Sequence, residues 1–147
     1  METSTIYFTF DADKHEYDYG YPNNPQLKGG VAVDVGTTKQ VIYVANVVPE
    51  KEANNWSLSA IWVLPPNTPK GKEKKLMPGV AGMTSVNGDS CSLSVLEQPD
   101  QHSLTVQVTN NSDSVDPATI GVQLVMSNGK EYPSDDPQIV LGPRNAQ

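Results

Sequence analysis

The side chains from which catalytic and metal centres are built are scarce in this sequence. There is one cysteine, Cys91, and there are two histidines, His15 and His102. A single thiol excludes an internal disulfide and fits a reducing compartment. Positive charge is also sparse: ten lysines and arginines stand against seventeen acids, for a net charge of −7. Neutralising a phosphate backbone requires clustered Lys and Arg, so the composition argues against a nucleic-acid partner. No apolar run approaches the roughly 20 residues needed to cross a bilayer. The opening stretch METSTIYFTFDADK carries neither a basic leader nor a long apolar segment, and the expectation is a cytoplasmic protein with no membrane partner. Amphipathic helical periodicity is missing as well, which removes helix bundles and α/β architectures from consideration.

What the chain has instead is short alternation between apolar and polar positions. Its 147 residues suit one domain, residues 1–147, large enough to bury a two-layer core without a structural metal. The charged fraction of 18% is too low for a chain kept disordered by charge. The clearest segment is Thr119 to Ser127, where Ile120, Val122, Leu124 and Met126 share one parity. Asn128-Gly129 then predicts a tight hairpin turn, and the return begins at Lys130 before Ser134-Asp135-Asp136-Pro137 interrupts it. A last short run occupies Gln138 to Leu141.

Other segments follow the same rule. Ile6, Phe8 and Phe10 form one face of a strand, and Tyr17, Tyr19 and Tyr21 share one face of a predicted return. Val31 to Val35 is a short strand. Lys39 to Val48 is apolar on both faces, as in a central strand. Leu58, Ala60, Trp62 and Leu64 share a parity, which predicts Trp62 in the core. Pro65 to Pro78 reads as the longest loop, and Gly79 to Asp89 has no regular period. Cys91, Leu93 and Val95, then Leu104, Val106 and Val108, complete the alternating runs. About eight or nine strands, with turn signals roughly every ten residues, predict an all-β, immunoglobulin-like antiparallel β-sandwich.

The segment Ser134 to Pro143, SDDPQIVLGP, following an alternating strand and an Asn-Gly turn, resembles small uncharacterised bacterial β-sandwich proteins of the DP-EP and inclusion-body-protein type. The likeness covers about the last quarter of the chain. Asp136-Pro137 matches the first half of the DP-EP pattern, and Gln138-Ile139 stands where that pattern has Glu-Pro. The resemblance implies an immunoglobulin-like sandwich and implies no reaction.

Chemical candidates are few. Tyr17, Tyr19 and Tyr21 are the candidate contacts for a partner or ligand, because amphipathic phenols along a hairpin engage a sugar, a peptide or a second subunit at small entropic cost. The alternative is that they cover the core. Asp11, Asp13, Glu16 and Asp18 around His15 offer oxygen ligands to Ca²⁺, but without EF-hand spacing they read as a solvated hairpin tip. Lys70, Lys72, Lys74 and Lys75 read as a solvated loop, with an acidic partner as the alternative. Asp100, His102 and Ser103 are too close in sequence to form a triad by proximity, Cys91 reads as a small buried hydrophobe, and no phosphate loop, G-x-S-x-G or CxxC motif occurs. No cofactor is predicted. The expectation is therefore a non-enzymatic interaction or self-assembly module, forming a homo-oligomer or engaging a protein partner; the alternatives are a small-ligand or carbohydrate binder using the tyrosine hairpin and an enzyme of unidentified class, which would need a cleft joining His102 or His15 to carboxylates distant in sequence.

Overall fold

The computed structural model describes residues 2–19, 31–66, 68–87, 91–96, 100–112, 118–135 and 138–142. Two sheets face one another. Across the first, the order is Glu16–Asp18 (β2), Glu2–Asp11 (β1), Thr38–Val48 (β4), Ser103–Asn110 (β9), Cys91–Val95 (β8) and Ser85–Asn87 (β7). Across the second it is Val31–Val33 (β3), Gln138–Leu141 (β12), Ala118–Ser127 (β10), Ser57–Leu64 (β5) and Lys74–Leu76 (β6), with Glu131–Pro133 (β11) also paired to β10. A short 3-10 helix, Glu50–Asn55, precedes β5. The fold is the all-β sandwich that the alternating pattern predicts.

Its core comes from the alternating positions of both sheets. Phe8, Phe10, Val41, Tyr43, Leu104 and Val106 face Leu58, Ile61, Val63, Leu124 and Ile139, all without solvent exposure. Burying each large apolar side chain stabilises the fold by roughly 1.5–3 kcal/mol before conformational entropy is counted. β4 is central, as its sequence predicts, lying between β1 and β9.

Several expectations need correction. Twelve strands are present among the described residues, and the sequence pattern missed β6 and β7. Each is three residues long, too short to show a period, yet β6 places Leu76 opposite Ile61 at 1% exposure. The sheets are also not wholly antiparallel: β1 runs parallel to β4, and β3 runs parallel to β12. Between β1 and β4 the chain visits the second sheet at β3, and such a crossover lets it return in the original direction. Alternation is blind to that direction.

The hairpin after β10 has three connecting residues, with Ser127 opposite Glu131, and only Gly129 takes a positive φ, 109°. Beyond it, β11 and β12 line the same edge of β10. Pro133 lies opposite Val125 and Gln138 opposite Gly121, so four residues of β10 span what takes five on the return. The extra residue falls within the predicted interruption. Asp136-Pro137, on which the DP-EP resemblance turns, lies outside the described residues, as do the Pro22 to Pro25 turn and the Gly29-Gly30 bend.

Trp62 is not in the core. Opposite Met126 stands Leu58 and opposite Val125 stands Ala60, so Ser59 is an additional residue in β5. A bulge of this kind reverses the facing of everything beyond it. Leu58, Ile61 and Val63 consequently point inward, while Ala60, Trp62 and Leu64 emerge on the outer face of the second sheet. The buried tryptophan is Trp56, at 2% exposure, just after the 3-10 helix.

Candidate binding grooves around Asp135

The β1–β2 hairpin sets the first part of the site. Asp11 Oδ1 accepts the backbone N–H groups of Asp13 and Lys14 at 2.9 and 3.0 Å, and the His15 N–H bonds the Asp11 carbonyl at 2.7 Å. The carboxylate thus holds its own turn, as Asp does in an Asx turn. Among the described residues no three His, Cys, Asp or Glu side chains converge in a manner that could hold a metal ion. His15 closes the turn with φ of 59°, an uncommon conformation for a residue with a Cβ. Its ring stacks on Tyr132 at 4.0 Å and approaches Trp56 at 5.5 Å.

Tyr17 crosses from the first sheet to the second. Its ring lies 5.7 Å from Phe8 and 5.0 Å from Phe10. Its hydroxyl accepts the Met126 N–H at 2.8 Å and directs its proton toward the carbonyls of Tyr132 and Leu124, the latter at 3.2 Å. Burial pushes the phenol pKa well up, opposed in smaller part by the Met126 N–H. Tyr19 packs against Phe8 with ring centroids 5.7 Å apart. Tyr21 lies outside the described residues. Of the predicted trio, the structure therefore brings Tyr17 and Tyr19 together and commits the Tyr17 hydroxyl to the opposite sheet.

Two grooves flank the interruption between β11 and β12. The hairpin groove, about 340 Å³, is lined by His15, Glu16, Tyr17, Tyr19, Pro133, Ser134 and Asp135. An outer-face groove of about 330 Å³ is formed by Trp62, Leu64, Lys70, Glu73, Gly121, Gln123 and Asp135. Asp135 belongs to both. Volumes of this size sit at the lower end of those that take small molecules. Of the four lysines, Lys70 lines the outer groove and Lys75 pairs with Glu131 in an ion pair. That pair reaches from β6 to β11 across β5 and β10, the strands carrying Ala60 and Val125, which are fully buried although neither belongs to the inter-sheet core.

The Asp100, His102 and Ser103 group is a brace. Ser103 Oγ donates to Asp100 Oδ2 at 3.2 Å, and the His102 N–H donates to Asp100 Oδ1 at 2.7 Å. His102 Nε2 faces the Ala53 carbonyl at 2.7 Å, which places its proton there and directs it away from Ser103. Cys91 is buried at 2% exposure in β8. Sequence reasoning missed Trp62, Gln123 and Asp135 as neighbours. In the sequence Ala60 to Leu64 is one unbroken apolar run, which does not say which parity faces the core.

No family model matches the sequence, and no curated protein is significantly similar to it.

Proposed function

We propose that this chain is a non-enzymatic binding module whose hairpin groove holds a small polar ligand. The observation that carries the reading is the convergence of His15, Glu16 and Tyr19 from one sheet with Asp135 from the other around a groove of about 340 Å³. Glu16 and Asp135 accept hydrogen bonds, Tyr19 supplies an amphipathic ring, and the net charge of −7 favours a ligand that presents donors. The bulk of the Tyr17 ring forms a wall already fixed by its bonds to the second sheet.

Assembly by strand addition is the competing reading. Among the described residues the outermost strands, β2 and β7 in one sheet and β3 and β6 in the other, are each three residues long and offer short templates to another chain, while β1 is paired to β2 only from Thr9 to Asp11. A reducing, cytoplasmic setting accords with a single buried Cys91. The likeness of Ser134 to Pro143 to bacterial sandwich proteins accords with a binding role and names no ligand.

The test is a thermal-shift screen with amines, amino acids and monosaccharides, followed by calorimetry on the best compound. Saturable binding that Tyr19→Ser and Glu16→Gln each weaken at least tenfold is expected. Light scattering across a hundredfold range of concentration should give one monomeric mass. A discrete multimer, together with no compound that binds, would overturn the reading in favour of self-assembly.

A further inference from the structure

The outer face of the second sheet carries a row of unlike side chains that core packing does not explain. Lys75 stands opposite Trp62 across β6 and β5, and Trp62 stands opposite Gln123 across β5 and β10. Directly opposed residues in a sheet share a face and lie within contact distance. Next to Gln123, the interruption after β11 supplies Asp135. Lys70 and Glu73 close the groove from the segment between β5 and β6. Glu73 is anchored there, since its carboxylate accepts the Gly71 N–H at 3.0 and 3.2 Å.

The floor is open because residue 121 is glycine. A Cβ at Gly121 would come within 3.3 Å of the Leu64 Cβ and would project onto the same outer face. Trp62 is half-buried, so part of its surface stays open to the groove that it lines. Among the described residues, neither the Gln123 amide nor the Asp135 carboxylate forms a side-chain hydrogen bond. A partly open indole beside an uncommitted amide and carboxylate combines an apolar face with convergent polar groups, the make-up of a ligand site.

We infer that the Trp62 groove is a second site, sharing Asp135 with the hairpin groove, and that it takes a neutral pyranose unit of an oligosaccharide. A pyranose ring offers one face of C–H groups to the electron-rich face of an indole, and its hydroxyls both donate and accept around the rim. Asp135 and Glu73 accept, the Lys70 ammonium donates, and Gln123 does both. An anionic ligand such as a nucleotide meets one lysine against two carboxylates in this groove, which disfavours it. An extended peptide would seek unpaired backbone, and here the backbone of β5 and β10 is already paired.

The two tryptophans make the test direct, since Trp56 is buried in the aromatic cluster and serves as an internal control. The full chain, ¹⁵N-labelled, would be titrated with cellotetraose, xylotetraose, mannotetraose and maltotetraose to millimolar concentration, and the two indole N–H resonances followed. At least one sugar should shift the Trp62 resonance saturably and leave Trp56 in place. Trp62→Ala should then weaken calorimetric binding of that sugar about tenfold or more, the scale of a well-placed aromatic contact. Gln123→Ala, which leaves the indole intact, should weaken it severalfold, whereas Tyr19→Ser should not change it. No Trp62 shift with any of the four sugars overturns the inference. So does a shift whose affinity is insensitive to Gln123→Ala but lost in Tyr19→Ser, because that result places the sugar in the hairpin groove.

Discussion

At each end of the sandwich a polar side chain of the first sheet, Asn110 or Tyr17, bonds the backbone of the opposite sheet, and the two do so with different consequences. At one end Asn110, fully buried at the close of β9, donates to the carbonyls of Val33 at 2.8 Å and Gly142 at 3.2 Å, and its Oδ1 accepts the Ser112 N–H at 2.9 Å. Its own backbone bonds Gly36 and Thr37, so amide and main chain together seal that end. At the other end Tyr17 reaches Met126, Leu124 and Tyr132 with a single hydroxyl. Asparagine is small, and its crosslink disappears into the interior. Tyrosine carries its polar atom at the tip of a large ring, so the same kind of crosslink leaves an aromatic wall over, and the hairpin groove is built on that wall. A lock made from a long amphipathic residue can therefore also supply a recognition surface.

Changing each lock separately tests this comparison. Asn110→Ala should have the largest effect, a loss of about 3 kcal/mol in urea unfolding, because two carbonyls and an N–H lose their partner at a buried site. Tyr17→Phe should cost about 2 kcal/mol and leave the ring packing intact, with near-ultraviolet circular dichroism little changed. If the two costs came out reversed, the greater sealing of the Asn110 end would be wrong. Alkaline titration sharpens the contrast further. Tyr17 and Tyr43 are both phenols whose pKa burial raises above the ordinary value of 10.0. Once the pH passes about 10 the unfolded chain releases phenolic protons that the folded chain retains, so the contribution of these two groups to stability should be constant below that point and fall above it. The slope is at most about 1.4 kcal/mol per pH unit for each phenol. Tyr43→Phe should remove part of that slope. Since the Tyr43 hydroxyl is buried without a hydrogen-bond partner among the described residues, the same variant should be neutral or up to about 1 kcal/mol more stable at pH 7. The smallest effect belongs to Glu131→Gln, which breaks the half-exposed pair with Lys75 and should cost about 0.5 kcal/mol in low salt and less in high salt.

The strands of this fold were legible wherever they were long enough to alternate. Ile120 to Met126, Leu104 to Val108 and Ile6 to Phe10 declare their buried faces outright. Strand direction was not legible, because a parallel β1–β4 pair and an antiparallel one bury the same residues. Half of the hairpin groove could be read from Tyr17 and Tyr19. The other half could not, since the Tyr17 hydroxyl meets Met126 across 109 residues of sequence and nothing local foreshadows the meeting. Ser134 and Asp135 were readable as an interruption of a strand, but a break in a pattern does not reveal which cavities it borders. Trp62 was misread for a physical reason: hydrophobicity assigns an indole to the core, and only the register around Ser59 assigns it elsewhere.

That extra residue lets one strand carry Leu58 inward and Trp62 outward although two even steps separate them. With Ser59 deleted in frame, Leu58 and Ala60 would become neighbours opposite Met126 and Val125, the ladder would close without a bulge, and the indole would keep its place on the outer face. Deletion of Ile61 would instead set Ala60 beside Trp62 and turn one half of the strand over, so the same loss of one residue is silent at the bulge and disruptive two positions further on.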